Sequence, residues 1–200
     1  MIQRIGDIAY VSQGIAVSGR GAGARPGDWE VRLAESADIS DDRLEFDGLK
    51  TISIQHNART ERHLLRPYDV LVTGRSRTLK MALVPPAVSR TVASVTLLVV
   101  RPRFPESGMS HWLWYFLTSS IGRSAVQRQI RPGMMIPTLP ASSLAEVAVP
   151  VPPDTELHRL AEFTEASESA YQASLRAARL RRELLRDSLI EEIAGKLRAE

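Results

Sequence analysis

Two short segments carry the side chains best suited to recognising an anionic polymer. Gln55-His56-Asn57-Ala58-Arg59-Thr60-Glu61-Arg62-His63 follows one alternating apolar run, and Thr73-Gly74-Arg75-Ser76-Arg77-Thr78-Leu79-Lys80 follows another. Gln, Asn and Arg offer the paired donors and acceptors that match base edges, whereas Lys, Arg, Ser and Thr hold phosphate oxygens. The same composition suits solvated turns, so at this level both readings stand.

Other chemistries find less support. The carboxylate pairs Asp41-Asp42 and Glu191-Glu192 are adjacent in sequence, so on a helix or strand their side chains diverge, which suits a solvated face better than acid–base work. Gly19-Arg20-Gly21-Ala22-Gly23-Ala24 is glycine-rich but lacks the Gly-Lys-Ser/Thr ending of a phosphate-binding loop and reads as a mobile loop. Ser76 and Ser89 have no nearby histidine to activate them, and no Gly-x-Ser-x-Gly elbow occurs. There is no cysteine, and His56, His63, His111 and His158 are scattered without ligand spacing. A nuclease or methyltransferase in its own right needs a metal-binding carboxylate cluster or a cofactor loop, and the sequence offers neither, so a non-catalytic chain without metal or cofactor is expected. The longest apolar run, Val95 to Val100, is strand-sized, far short of the ~18 residues that span a bilayer. With no signal-like N-terminus, a cytoplasmic protein without a membrane partner is expected.

The charge is unevenly placed. The formal net charge is +3, but residues 154–200 hold ten acids against eight bases, leaving residues 1–153 at net +5. Of the 26 basic residues 23 are Arg, whose planar fork binds phosphate or guanine through two parallel hydrogen bonds. A positive body and a slightly negative tail make nucleic acid one of the partners to consider.

The elements that must position these residues read as short strands mixed with helices. Ile5 to Tyr10 forms a short amphipathic turn; Trp29 to Leu33 and Leu49 to Gln55 alternate at period two. Pro67 and Asp69 turn the chain into a buried strand ending at Gly74, followed by strands at Met81 to Val84 and Val92 to Val100. His111 to Ser119 is apolar all round and reads as a core helix rather than a base-stacking platform. A helical stretch over Ile121 to Ile130 leads into a loop at Arg131 to Thr138, and Leu144 to Val149 reads as a last strand. After Val149-Pro150-Val151-Pro152-Pro153 the remaining residues contain no proline and one glycine, Gly195. A helix there extends on the order of 65 to 70 Å, longer than a 200-residue globule is wide, which suits a spacer or pairing element. Its residues Leu157, Leu160, Thr164, Ser167, Tyr171, Leu175, Ala178, Arg182, Leu185 and Leu189 step by three and four, a seam for a partner helix. The expected architecture is therefore α+β: a body over 1–153 with short strands and a helix over 154–200 that pairs with a partner helix.

The order of these segments resembles the target recognition domains of specificity (S) subunits in type I restriction-modification enzymes. Leu65-Arg66-Pro67-Tyr68-Asp69-Val70-Leu71-Val72-Thr73 resembles that family's Leu-x-Pro-Gly-Asp-Val-Leu strand, with Tyr68 where glycine is usual. Ala93 to Pro102 is similar to the following strand, and Tyr115-Phe116-Leu117-x-Ser119 to its Tyr-Leu-x-Ser helix. Gly133-Met134-Met135-Ile136-Pro137-Thr138-Leu139 falls where the family has a Gly-led DNA-facing loop, and Leu144 to Pro153 resembles the signature that ends in its spacer helix. The usual Glu-Gln at the helix start reads Glu156-Leu157. Familiar members carry two recognition domains and two helices, whereas this chain has one of each and looks like a half-subunit.

That resemblance implies sequence-specific recognition of double-stranded DNA, directing adenine methylation by a partner methyltransferase subunit that binds S-adenosylmethionine, with a restriction motor subunit as a further partner. It places Gln55, Asn57, Arg59, Arg75, Ser76, Arg77, Lys80, Arg131, Gly133, Met134 and Thr138 at the DNA. Lys80 and Arg131 are expected on phosphate, and Gly133 would permit close backbone approach. Leu157, Leu160, Tyr171, Leu175, Ala178, Leu185 and Leu189 are expected to make a homodimer through the helix, which the resemblance implies pairs as an antiparallel coiled coil. A protein-interaction scaffold in a defence complex, without DNA reading, is the competing expectation, and a truncated subunit without independent function a third.

Overall fold

The structure, a computed structural model, describes residues 1–16, 28–104, 108–132 and 135–199. It falls into two compact units, Met1–Ala161 and Glu162–Glu200. The fold is mixed α+β with short strands and a long C-terminal helix, as the sequence pattern leads one to expect.

Among the described residues the first unit contains three sheets. The central one runs in the order β2 (Ala9–Gln13), β10 (Leu97–Pro102), β7 (Val70–Thr73), β8 (Met81–Leu83), β5 (Arg43–Leu44), β4 (Ile39–Ser40). Its middle strands are apolar without interruption because both faces are covered. Val70, Val72, Met81, Leu98 and Val100 face a core shared with Leu113 and Leu117 of the helix α3 (Met109–Thr118). Leu71, Ala82, Leu97 and Val99 face the other way, against Ala34, Ile39, Leu44 and Leu65. Each fully buried Val, Leu, Ile or Met among them contributes about 1.5 to 3 kcal/mol relative to exposure. The expected core role of His111 to Ser119 holds, since Leu113, Trp114, Phe116 and Leu117 are all buried.

A second sheet places β3 (Asp28–Ala34) between β6 (Lys50–Gln55), antiparallel, and β9 (Thr91–Ala93), parallel. A two-stranded ladder joins β1 (Ile2–Arg4) to β11 (Ala148–Pro150). Short helices α1 (Ile5–Ile8), α2 (Ala58–Arg62), α4 (Ser120–Gln127) and α5 (Ala141–Ala145) fill the connections. The helix α6 covers Asp154–Ala199. Leu157, in its first turns, is fully buried in the core of the first unit.

Three local expectations need correction. Val92 to Val100 is not one strand. A turn at Ser94–Thr96 divides it into β9 and β10, which belong to different sheets, and the Ser94 and Thr96 hydroxyls hydrogen-bond at 2.6 Å. Backbone packing fixes that turn: a Cβ on Gly14 would lie 2.2 Å from the Ser94 carbonyl oxygen, so only glycine allows this approach. Leu144 to Val149 is not continuous strand either, because α5 ends at Ala145 and β11 begins only at Ala148. Finally, Gln55 to His63 is not a plain loop, for it contains α2. Asn57 caps that helix, its side-chain oxygen accepting from the Arg59 and Thr60 amides.

The Pro-Tyr-Asp turn that starts β7 is held by a buried ion pair. Asp69 accepts from Arg101 Nε at 2.8 Å and Nη2 at 2.6 Å, and from the Arg66 amide at 2.8 Å. Tyr68 has φ of +66°, the left-handed region in which a non-glycine residue costs about 1 to 2 kcal/mol. Glycine is therefore the easier residue there, and the Tyr68 ring, 4.9 Å from that of His111, partly offsets the strain.

Candidate nucleic-acid interface

The loop after β7 is assembled by main-chain bonds. The Gly74 and Arg75 amides donate to the Thr96 carbonyl at 2.8 and 3.1 Å, and the Gly74 carbonyl accepts from the Leu139 amide at 2.7 Å. Isolated antiparallel bridges join Arg75 to Thr138 and Thr138 to Arg131. Arg131 and Thr138 exchange amide–carbonyl bonds of 2.8 and 3.1 Å. Residues 75, 131 and 138, distant in sequence, thus lie side by side, and all three are exposed. The loop is closed by Thr73, whose hydroxyl donates to the Thr78 carbonyl and accepts from the Lys80 amide, and by Ser76, whose hydroxyl accepts from the Thr78 amide.

Among the described residues, no hydrogen bond or ion pair holds the side chains of Arg75, Arg77 or Arg131. Three other arginines of the body are committed internally: Arg101 to Asp69, Arg103 to the Gly6 and Asp7 carbonyls, and Arg123 to Asp42. An uncommitted guanidinium keeps all its donors for an external anion. A cleft of about 320 Å³ opens beside these arginines, between the 73–80 loop, the end of α4 and the 130–139 segment. Thr73, Ser76, Arg77 and Gln127 give it polar edges, and Leu79, Ile130 and Pro137 apolar walls.

Not every expected residue joins this cluster. Lys80 Nζ donates to the Ser36 and Ile39 carbonyls at 3.1 and 2.8 Å, so two of its three donors bind the chain at the entry to β4 instead of remaining for phosphate. Gln55, Asn57 and Arg59 form a second patch. Gln55 pairs with Asp28 at one end of β3, whereas Ala34, at the other end, accepts from the amide of Ser94, in the turn that holds Gly74 and Arg75. The intervening strand spans about 20 Å. Gln55 and Arg59 are exposed there, while the Asn57 carbonyl oxygen is used as the helix cap. Gly133 and Met134 lie outside the described residues, as does the glycine-rich segment at 19–24.

Sequence reasoning missed three features. Gln127 lines the cleft, and its signal was the Gln127-Arg128-Gln129 run leading into the loop. Trp29 stacks on His56 with centroids 3.5 Å apart, and His56 pairs with Glu61 at 2.7 Å. Asp42, read as part of a solvated pair, bonds Arg123; it shares with Asp41 a positive-φ turn between β4 and β5.

His63 follows α2. Burial, and then the nearby Arg59 charge, push its pKa below the usual 6.5. Folded His63 thus resists a proton that the unfolded chain accepts, so stability is full above pH 6.5 and falls as pH drops through the window below it. His63→Gln should flatten the acid side of a plot of Tm against pH, and an unchanged slope would remove His63 as its source.

On the expected seam, Leu157 is corrected: it belongs to the core and cannot meet a partner helix. Leu160 and Leu175 are half-buried, and Tyr171, Ala178, Leu185 and Leu189 are exposed. Among the described residues no group of three or more His, Asp or Glu side chains could hold a metal ion, and no helix is long and apolar enough to cross a membrane.

No family model and no curated protein matches this sequence. Solved structures do. The HsdS subunit of Thermoanaerobacter tengcongensis superposes with a TM-score of 0.58 at 18% identity, over 94% of this chain and 46% of that one. The fold is that of type I restriction-modification S subunits. The S subunit from M. genitalium aligns with TM-score 0.54 at 12% identity, over 84% of this chain and 39% of that one. A chain from a type I R-M system, studied for complex assembly and conformational transition, aligns with TM-score 0.63 at 18% identity, over 88% and 40%. This chain therefore spans less than half the length of the S-subunit chains it matches. At these identities the S-subunit likeness is one of backbone, and the exposed loop side chains are this protein's own.

Proposed function

We propose that this chain is a half-size specificity subunit of a type I-like restriction-modification or related defence methyltransferase complex. Its body reads bases in duplex DNA and thereby directs adenine methylation by a methyltransferase subunit that binds S-adenosylmethionine. The observation that carries this reading is the convergence of Arg75, Arg77 and Arg131, exposed and without partners among the described residues, beside a cleft in a body of this fold. Bidentate arginines discriminate guanine, and an adjoining cleft gives base edges somewhere to be read.

A bipartite site needs two such bodies, and the exposed seam of α6 fits a second copy. Antiparallel pairing about residue 180 sets Tyr171 against Leu189 of the second copy, Leu175 against Leu185, and Ala178 against Arg182, so the seam is complementary to itself. Leu185 and Leu189, exposed in the isolated chain at 61% and 58%, then become buried. Leu185→Asp with Leu189→Asp should convert the dimer to a monomer in analytical ultracentrifugation, since each Asp would place an unpaired carboxylate in the seam. A persisting dimer would move the interface elsewhere. Ala173, Ala177, Leu180 and Leu184 form a second stripe on the opposite face of α6, with Leu180 and Leu184 59% and 66% exposed. In this reading that stripe serves the methyltransferase or motor subunit. It is also the observation that favours the scaffold alternative, which requires no salt-sensitive DNA binding.

The test is co-expression with the cognate methyltransferase subunit, followed by methylome sequencing with and without this chain. An interrupted adenine-methylation motif that appears only with the chain, and is palindromic if the chain self-pairs, is the expected result. A methylation pattern indifferent to the chain would leave the scaffold reading in its place.

A further inference from the structure

Gln127 sits at the end of α4, exposed, one helical turn beyond Arg123 and on the same helix face. Arg123 bonds the Leu79 carbonyl at 3.2 Å and the Thr118 carbonyl at 3.0 Å, so this face of α4 is fastened to the 73–80 loop that carries Arg75 and Arg77. The start of the helix is equally fixed. Ser119 caps it through the Gly122 amide at 3.1 Å, and a Cβ on Gly122 would lie 2.0 Å from the Phe116 carbonyl oxygen. Gln127 is thus presented from a rigid element rather than a loop tip, and no hydrogen bond within the described residues engages its amide. That amide offers a donor and an acceptor side by side, the complement of adenine N6 and N7 in the major groove. The cleft beside it has Arg77 at its rim, and its walls, Leu79, Ile130 and Pro137, are apolar. The walls suit the 5-methyl group of thymine, which projects into the same groove, beyond the thymine O4 that lies next to the adenine amino group.

We infer that Gln127 is a base-reading residue that specifies one A·T pair, its amide on adenine and the thymine methyl against Leu79, Ile130 and Pro137. The inference rests on the DNA-recognition reading above. It assigns to one residue and one base pair what that reading leaves to the body as a whole.

The experiment uses the full complex with its methyltransferase and compares the methylomes given by the wild-type chain, Gln127→Ala, Gln127→Glu and Arg131→Ala. With Gln127→Ala the motif should lose its preference for A at one position, by roughly 5- to 150-fold, while every other position stays fixed. Gln127→Glu, which can only accept, should turn that position away from A and towards C. Arg131→Ala, at the expected phosphate contact, should lower methylation evenly across all positions. An unchanged motif with both Gln127 variants overturns the assignment, as does relaxation at a G·C position or an even loss resembling that of Arg131→Ala. If the wild-type chain confers no motif at all, the recognition reading falls, and this inference falls with it.

Discussion

Arg75→Ala combined with Arg77→Ala should abolish sequence preference, lowering methylation at the cognate motif by about 30-fold to 10⁴-fold if each arginine makes one bidentate base contact. Neither guanidinium is tied to another described residue, and both arginines are exposed, so their loss should leave stability within about 0.5 kcal/mol. The effect would therefore fall on recognition alone. The salt dependence of binding separates two ways in which arginine acts. Removing an arginine that holds phosphate lowers the slope of log K against log salt by about 0.9 and spares the preference, whereas removing one that reads a base erases the preference at a particular position. Binding and preference that both survive the double substitution would remove these residues from the interface.

Arg101→Ala should strongly destabilise the body. Asp69 has only 2% of its side chain exposed and takes two hydrogen bonds from Arg101, which also donates to the Leu64 carbonyl at 2.9 Å. Removing the arginine strands a buried carboxylate with one amide partner, a kind of loss that costs about 3 to 5 kcal/mol. For a unit of this size that corresponds to a fall in Tm on the order of 10 °C. Arg101→Lys keeps the charge but not the fork and should fall between the two. A Tm change of a degree or less for Arg101→Ala would show that the pair contributes little and that the turn before β7 is held by its backbone.

Much of this architecture was legible because the relevant signals are local. Alternation marked β3 and β6, the Pro-Tyr-Asp turn marked the start of β7, and the lack of proline after Pro153 marked α6. The failures share a cause in the packing of residues remote in sequence. Nothing in the run from Val92 to Val100 reveals that Gly14 presses on Ser94 and divides it between two sheets. Lys80 looks like any basic loop residue until the Ser36 and Ile39 carbonyls appear beside it. Leu157 fits the heptad pattern as well as Leu185 does, yet the core of the body claims it. Composition pointed to the arginines of the candidate interface, but their grouping depends on the bridges from Thr138 to Arg75 and Arg131, whereas Gln55 and Arg59 lie at the far end of β3.

The turn at Ser94–Thr96 joins the two sheets, and its Thr96 carbonyl holds the amides of Gly74 and Arg75. The loop that presents Arg75 is therefore clamped where both sheets meet. Its amides should exchange with solvent only on the slow timescale of the sheets themselves, because releasing them requires opening that joint. Most of the entropy of ordering this loop is then lost during folding, before any ligand arrives, so association should proceed with little further loss at this site.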